Sequence, residues 1–309
     1  MDDERTGSQP TTPPARYHRY LLKSLLKGVR LPGHELPPRD IDGRAFVGGG
    51  LTIGIETMLM TQATGLSLLL LVALSSRANE RAFPIYDNMF YKGKPNTAIQ
   101  GLIASNILYE NRIWPNRQDI GVLPDRETFQ SLVRASIESP GPLVIDVESL
   151  PLTGSADAAR HNAQVLATLA DWTREAAPGK MIGFYGTNTL SKVPPAHLLL
   201  ARELARHVDA FFPSMYTFDD DRTAYEKRAQ EAANEARALA SGKPVYFYLW
   251  PQYHDGTPKA FRYVDANYWQ FQLKTAQRYS DGVVLWSPSR YGWNDDTGWW
   301  DVTIRFIHR

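Results

Sequence analysis

From Ala82 to Trp286 the chain alternates short apolar runs with longer segments of helical period, and this alternation constrains the fold more than any other feature. Period and residue type predict strands at 82–86, 107–109, 143–148, 181–185, 210–216, 244–250 and 282–286. Helices are predicted between them at 127–136, 156–175, 197–206, 221–240 and 267–279. Strands that alternate with helices form a parallel sheet, so we expect an α/β fold closed into a (β/α) TIM-type barrel of seven or eight strands.

An open, doubly wound sheet is the alternative arrangement of the same elements. That fold usually carries a glycine-rich phosphate loop after its first strand, and none follows residues 82–86. The pattern therefore favours the barrel. Beyond the last predicted strand, residues 292–300 are expected to form a loop that leads to a short final helix or strand.

The first part of the chain has a different composition. Residues 1–57 are rich in Pro, Gly and Arg, which is typical of a flexible extension. Residues 58–79 contain the apolar run 65–74 and a small-residue cleavage site after Ala78, the pattern of a signal peptide. We therefore expect translation to start at Met58 or Met60, and a secreted or periplasmic domain spanning 80–309. Two alternatives stay open: a signal anchor at 51–74 that tethers the chain to a membrane, or a helix buried in the fold.

Charge and residue content exclude several classes of protein. Lys and Arg number 34 against 33 Asp and Glu, a net charge of +1 without a basic stripe, so no nucleic-acid partner is expected. The chain has no cysteine, which excludes disulfides, thiolate metal sites and a cysteine nucleophile. No metal is expected, because the histidines lack ligand spacing. No cofactor is expected either, because phosphate-binding and dinucleotide-binding motifs are missing from the sequence. We expect a monomer that meets a membrane only through an N-terminal anchor.

Asp146 and Glu148 end the apolar run that begins at Leu143. Side chains two positions apart on a strand point to the same face, so both carboxyl groups should point into the barrel mouth, with Cα atoms roughly 6–7 Å apart. Neighbouring carboxyl groups influence each other's ionisation, so one can stay protonated while the other stays charged. A capping or salt-bridged acidic pair in a loop is the alternative. Because buried strand ends rarely carry two acids without a use, we favour a catalytic pair.

Aromatic residues end most of the other predicted strands. Aromatic faces stack on sugar rings, and tyrosine hydroxyls bond to their polar groups. The set therefore predicts a carbohydrate site around the acidic pair, with a polysaccharide as substrate. Tyr185 and Tyr216 are assigned to the catalytic group, and the substrate-binding candidates are Trp286, Trp250, Tyr86, Tyr109 and Tyr248.

Six short motifs occur in an order and at spacings that resemble the hyaluronidases of glycoside hydrolase family 56. They are LYENR at 108–112, VIDVE at 144–148, IGFYG at 182–186, FPSMY at 212–216, PVYFY at 244–248 and GVVLW at 282–286. The resemblance covers most of residues 82–286. It suggests a divergent, bacterial-type member without cysteines.

The resemblance implies a retaining glycosidase that cleaves β-linked N-acetylhexosamine polymers by substrate assistance. In that mechanism the acetamido oxygen of the sugar attacks its own anomeric carbon, so the enzyme supplies no nucleophile. Glu148 would match the proton donor, and Asp146 the carboxylate that orients the acetamido group. Tyr185 and Tyr216 would match the hydroxyls around that group, and Trp286 the floor of the subsite.

The sequence also departs from the family pattern. Val147 stands where the family has tryptophan between the two acids, and residues 149–151 stand where it has Trp-Arg-Pro. The chitinase-like family 18 would need an acid at Val144. The substrate therefore stays open between a hyaluronan-like or chondroitin-like glycan and a bacterial exopolysaccharide.

Two other functions stay open at this point. One is a non-catalytic glycan-binding protein of the cell envelope on a degenerate barrel. The other is a glycosidase with a separate carboxylate nucleophile, such as Asp255 or Asp219.

Overall fold

The structure of the protein, a computed structural model, describes residues 83–186 and 194–309. Residues 83–309 form one compact unit. The predicted extension at 1–57, the predicted signal segment at 58–79 and the alternative anchor at 51–74 all lie outside the described residues. In the described part of the chain, no helix is long and apolar enough to cross a membrane.

Short strands alternate with helices along this unit. The strands are β1 (Ile85–Met89), β2 (Ile103–Ala104), β3 (Asn106–Tyr109), β4 (Leu143–Asp146), β5 (Ile182–Phe184), β6 (Tyr246–Leu249) and β7 (Gly282–Ser287). The α-helices are α1 (Glu110–Ile113), α2 (Arg126–Ala135), α3 (Ala156–Ala176), α4 (Leu198–Leu204), α5 (Arg222–Leu239), α6 (Ala266–Tyr279) and α7 (Trp299–Ile307). Helices α2, α3, α5 and α6 each follow a residue whose side chain accepts a backbone N–H of the first turn, namely Asp125, Ser155, Asp221 and Asp265.

The parallel pairings run in a closed circuit. β1 pairs with β2 on one side and β7 on the other, β7 pairs with β6, and β3, β4 and β5 pair in that order. Only Ser105 separates β2 from β3, so they act as one bent strand. Segment 210–216 fills the place between β5 and β6 through the parallel bridges Tyr185–Phe212, Phe211–Val245 and Ser214–Tyr248. The circuit has seven strand positions, and the predicted α/β fold with parallel strands is confirmed.

Along β4, β6 and β7, residues alternate between two cores. Leu143 and Ile145 on β4, and Val147 just after it, belong to a core that also holds the apolar sides of the helices. Val144 lies in a second core inside the circuit of strands. The second core is largely aromatic and consists of Tyr86, Val144, Ala210, Phe212, Tyr216, Tyr246, Tyr248, Trp250 and Val284. Side chains in the same alternation as Val144, including Asp146, therefore face the interior and its mouth.

Two predicted strands differ from the observed elements, and one observed strand was not predicted, each for a local reason. The first strand begins at Ile85 rather than at position 82, and Pro84 contributes only its carbonyl, to Val283 N–H. Segment 210–216 forms bridges rather than a continuous strand, because Pro213 has no N–H to donate. β2 was not predicted, since it has only two residues and both are exposed. The final segment is the helix α7, one of the two expected outcomes.

Candidate active site

Asp146 and Glu148 lie together at the carboxyl end of β4, where the sequence predicted a shared face. Val147 between them is fully buried in the helix-side core, which turns its two neighbours towards the barrel mouth. Asp146 is partly buried, and its Oδ1 atom is buried without a hydrogen-bond partner among the described residues. Glu148 is exposed to solvent. The pair thus combines one enclosed carboxyl group with one that water and a ligand can reach.

A third carboxylate, Glu110 at the start of α1, completes the acidic group. Its Oε2 accepts the backbone N–H of Ser149 at 2.9 Å, and its Oε1 accepts the Ser149 hydroxyl at 2.7 Å. No role was predicted for Glu110, although it lies within the motif at 108–112. Its contact with Ser149 joins two strand ends, so the sequence carried no local signal of it.

Burial and neighbouring negative charge raise the proton affinity of Asp146 and of Glu148. The pKa of Glu148 rises from 4.5 to about 7, first because protein atoms around the recess remove part of its hydration and second because of the charge on Glu110. Burial, and then the charges of Glu148 and Glu110, raise the pKa of Asp146 well above its usual value. Glu148 is open to solvent on one side, so this recess is a partial enclosure. Near neutral pH the group retains a proton.

The tyrosines at 185 and 216 lie beside the acidic pair. Their ring centroids are 6.1 Å apart, and each hydroxyl interacts with the other. Burial is the main cause that raises the pKa of both, and the Asp146 charge adds to it. The Glu148 charge also raises the pKa of Tyr185. Both phenols therefore stay protonated and can donate hydrogen bonds in the recess.

Aromatic rings form one wall of the recess. Trp286 stacks on Tyr216 with centroids 5.6 Å apart and meets Trp250 edge-on at 5.3 Å. The Trp286 indole N–H donates to the Tyr109 hydroxyl at 3.2 Å, and the Asp146 charge adds to the burial that raises the pKa of Tyr109. His254 also stacks on Tyr216, with ring centroids 5.8 Å apart. The structure thus brings Tyr109, Tyr216, Trp250 and Trp286 together.

The two remaining predicted residues lie deeper. Tyr248 is fully buried, packs on Tyr185 at 4.9 Å and accepts a 3.4 Å bond from the Asn88 amide. It therefore supports the recess from below. Tyr86 is buried against Tyr246 at 5.4 Å, inside the circuit of strands. The structure brings Tyr86 together with Tyr246 rather than with the carboxyl groups.

Asn88 is a second buried polar residue that the sequence reasoning missed. It is 2% exposed, and its Oδ1 has no hydrogen-bond partner in the described part of the chain. It lies next to Trp286 in the register of β1 and β7. Asn88 was not predicted as a site residue because the first strand was predicted to end at position 86, before Asp87, Asn88 and Met89. Within residues 83–186 and 194–309, no group of three His, Asp or Glu side chains is arranged to hold a metal ion.

Comparison with known structures identifies the class of fold. The chain is similar to bee venom hyaluronidase, both in a monoclinic crystal and in complex with a hyaluronic acid tetramer, with a TM-score of 0.52 and 15% identity in each case. The likeness covers 73% of this chain and 96% and 95% of those chains. A β-glucuronidase from Bacteroides uniformis has a TM-score of 0.42, too low to compare the folds. No family model matches the chain, and no curated protein matches it in sequence. The protein thus has an α/β fold with parallel strands that is similar to the fold of bee venom hyaluronidase.

Proposed function

We propose that the protein is a glycosidase that cleaves β-linked N-acetylhexosamine-containing polysaccharides with retention of configuration. The polymer is a hyaluronan-like or chondroitin-like glycan or a bacterial exopolysaccharide. Glu148 is the proton donor, and Asp146 orients the acetamido group of the substrate. The bee venom enzyme with the similar fold is named a hyaluronidase, and one of its structures holds a hyaluronic acid tetramer, which supports this class of substrate.

One observation carries the proposal: a solvent-facing carboxyl group with a pKa near 7 lies beside an enclosed carboxyl group with an unpaired oxygen. A general acid works best when its pKa lies near the working pH, and Glu148 meets this condition at about 7. An unpaired buried acceptor is costly, so Asp146 Oδ1 favours a ligand that supplies a donor. The acetamido N–H is such a donor.

These positions suit a two-step reaction. In the first step the acetamido oxygen attacks the anomeric carbon, the glycosidic bond breaks, and the Glu148 proton passes to the leaving oxygen. Asp146 accepts the acetamido N–H as positive charge develops on that group, and the hydroxyls of Tyr185 and Tyr216 bond to its surroundings. In the second step water attacks the anomeric carbon from the face that the leaving group vacated, and the bond between this carbon and the acetamido oxygen breaks. Glu148 takes the proton of that water, which restores the acid.

The placement of the acids argues against a separate enzyme nucleophile. The two candidates for that role are otherwise engaged: Asp219 is exposed and accepts Asp221 N–H at 3.0 Å, and Asp255 pairs with His254 at 2.8 Å. A retaining enzyme with its own nucleophile needs two carboxyl groups about 5–5.5 Å apart on opposite sides of the bond. Asp146 and Glu148 instead share one strand end.

The first test is hydrolysis of a glycan panel, measured as new reducing ends. We expect Glu148→Gln to lower kcat by about 10²–10⁴, the usual contribution of general acid catalysis, while glycan binding stays within about twofold. Glu138→Gln removes an exposed acid before β4 and serves as the matched control. Inhibition by a thiazoline analogue without trapping by a fluorosugar supports substrate assistance. Full activity of Glu148→Gln would overturn the assignment.

The panel also separates the enzyme from a non-catalytic glycan-binding protein. Binding of a glycan without new reducing ends over a long incubation would favour that second function. A polymeric substrate lies outside the cell, so we propose a secreted or periplasmic location, with a tether at 51–74 as the alternative. Amino-terminal sequencing of the exported protein distinguishes the two, since cleavage after Ala78 leaves Asn79 as the first residue.

A further inference from the structure

Both carboxylate oxygens of Glu110 accept hydrogen bonds from Ser149, in the segment that carries Glu148. One oxygen accepts the backbone N–H of Ser149 and the other accepts its hydroxyl, at 2.9 and 2.7 Å. Ser149 follows Glu148 directly, so these two bonds fix the backbone just past the proposed acid. Hydrogen bonds to a charged acceptor are short and strong, which makes this a rigid attachment.

In the part of the chain that the structure describes, no cation pairs with the Glu110 carboxylate. Within the described residues, the hydrogen bonds given to the Glu110 carboxylate both come from Ser149, and no ion pair includes it. The carboxylate is half-buried at the start of α1, close enough for its charge to act on both Asp146 and Glu148. A structural hydrogen bond to a serine could be made by a neutral side chain. A negative charge at this position raises the proton affinity of its neighbours, which a proton donor needs.

We propose that Glu110 is a positioning residue that holds the Glu148 segment through Ser149 and places a negative charge beside the proposed acid. This role rests on the proposed function, because it gives Glu148 its use as an acid. Glu110 itself contacts Ser149 rather than the reacting atoms. The role has two parts, the hydrogen bonds from Ser149 and the negative charge, and substitutions can test each part separately.

Glu110→Gln removes the charge and keeps the size of the side chain. Its effect is measured by carbon-13 NMR titration of the glutamate carboxyl groups, with the Glu148 signal assigned from its loss in Glu148→Gln. The titration midpoint is the pH at which Glu148 is half-protonated. We expect it to move from about 7 to lower pH but to stay above 4.5, because burial, the larger cause of the raised pKa, remains. Glu138→Gln makes the same chemical change at the other end of β4 and should leave the midpoint in place.

Ser149→Ala keeps the Glu110 charge and the backbone bond but removes the hydroxyl bond. We expect an unchanged Glu148 midpoint together with a severalfold lower kcat. For Glu110→Gln, the alkaline limb of the pH–rate profile should move to lower pH. At pH values above the pKa of Glu148, each unit by which this pKa falls lowers the protonated fraction of Glu148 tenfold. Ser149→Ala also tests the proposal if Glu110→Gln is poorly folded. A shift of the Glu148 titration midpoint in Ser149→Ala would show that the hydroxyl bond, and not only the Glu110 charge, sets the pKa of Glu148.

The outcome that overturns the proposal is a Glu148 midpoint in Glu110→Gln that stays where it is in the unchanged protein. The titration needs no turnover, so it remains informative if the protein hydrolyses no glycan in the panel. In that case a shifted midpoint would keep the electrostatic role of Glu110 while the proposed function fails. If the protein hydrolyses a glycan and the Glu148 midpoint does not shift in Glu110→Gln, the proposed function stands and the role of Glu110 fails.

Discussion

Glu148 and Asp146 differ in their access to water although one residue separates them. Their spacing in the sequence predicted a common face, and the burial of Val147 on the other face agrees with it. Their proton affinities could not be predicted in the same way. The pKa of Glu148 depends on the recess and on Glu110, which reaches it from another strand end. Charge effects between distant segments have no local sequence signal, so residue types were predictable and electrostatics were not.

The raised pKa of Glu148 gives folding stability a defined pH dependence. The unfolded chain loses this proton near pH 4.5 and the folded chain near pH 7, so the folded state binds more protons between these values. Stability therefore falls as pH rises from about 4.5 to about 7 and stays lower above it. The raised pKa of Asp146 acts in the same direction.

Glu148→Gln should remove this cost. At pH 8 we expect its Tm to exceed that of the unchanged protein by about 2–4 °C, equivalent to about 1 kcal/mol after allowing for solvent screening at an exposed group. At pH 4 the two melting temperatures should coincide, because Glu148 is then protonated in both states. Thermal melts at both pH values measure the difference, with Glu138→Gln as the control. An equal gain at pH 4 and pH 8 would show that charge is not the cause.

At the scale of elements, the strands and helices were largely predictable because each has a strong period of its own. β4 (Leu143–Asp146), α3 (Ala156–Ala176) and α6 (Ala266–Tyr279) lie within a few residues of their predicted bounds. Prediction was poorer where polar residues serve the interior. Asp87 and Asn88 broke the apolar run, yet both are buried in β1, Asp87 with Lys94 and Thr97 as partners. Lys94 and Thr97 lie outside the strand, so the periodicity of the strand cannot predict that they bond to Asp87.

Gly183 in β5 makes the close approach of segment 210–216 possible. A Cβ atom there would lie 2.4 Å from the carbonyl oxygen of Ala210 and 2.7 Å from the Phe212 ring. We expect Gly183→Ala to cost about 1–3 kcal/mol through overpacking, a fall in Tm of about 2–4 °C for each kcal/mol. Gly292→Ala is the matched control, since a Cβ atom at Gly292 meets nothing within 4 Å. Thermal melts that fall equally for both variants would contradict this account of the β5 contact.

For the molecule as a whole, closure of the strand circuit explains how the fold tolerates large changes in sequence. Each strand position pairs on both sides, so the circuit leaves no open sheet edge, and its interior is filled by aromatic side chains. The requirement at most positions is an apolar residue of suitable size rather than a particular residue. A fold shared with bee venom hyaluronidase at 15% identity agrees with this tolerance.

The part of the chain from residue 79 onwards should be sufficient for folding. Both described cores draw their residues from the compact unit Phe83–Arg309, and the strand circuit closes between β1 and β7 within it. A protein that begins at Asn79 should therefore fold and match the full chain in Tm and in reducing-end release. A protein that begins at Tyr91 loses β1, which pairs with both β2 and β7, and should not fold. Circular dichroism melts and the glycan assay measure both. If the protein from Asn79 melts well below the full chain, residues before Asn79 contribute to the fold, and the signal-peptide interpretation of 58–79 is wrong.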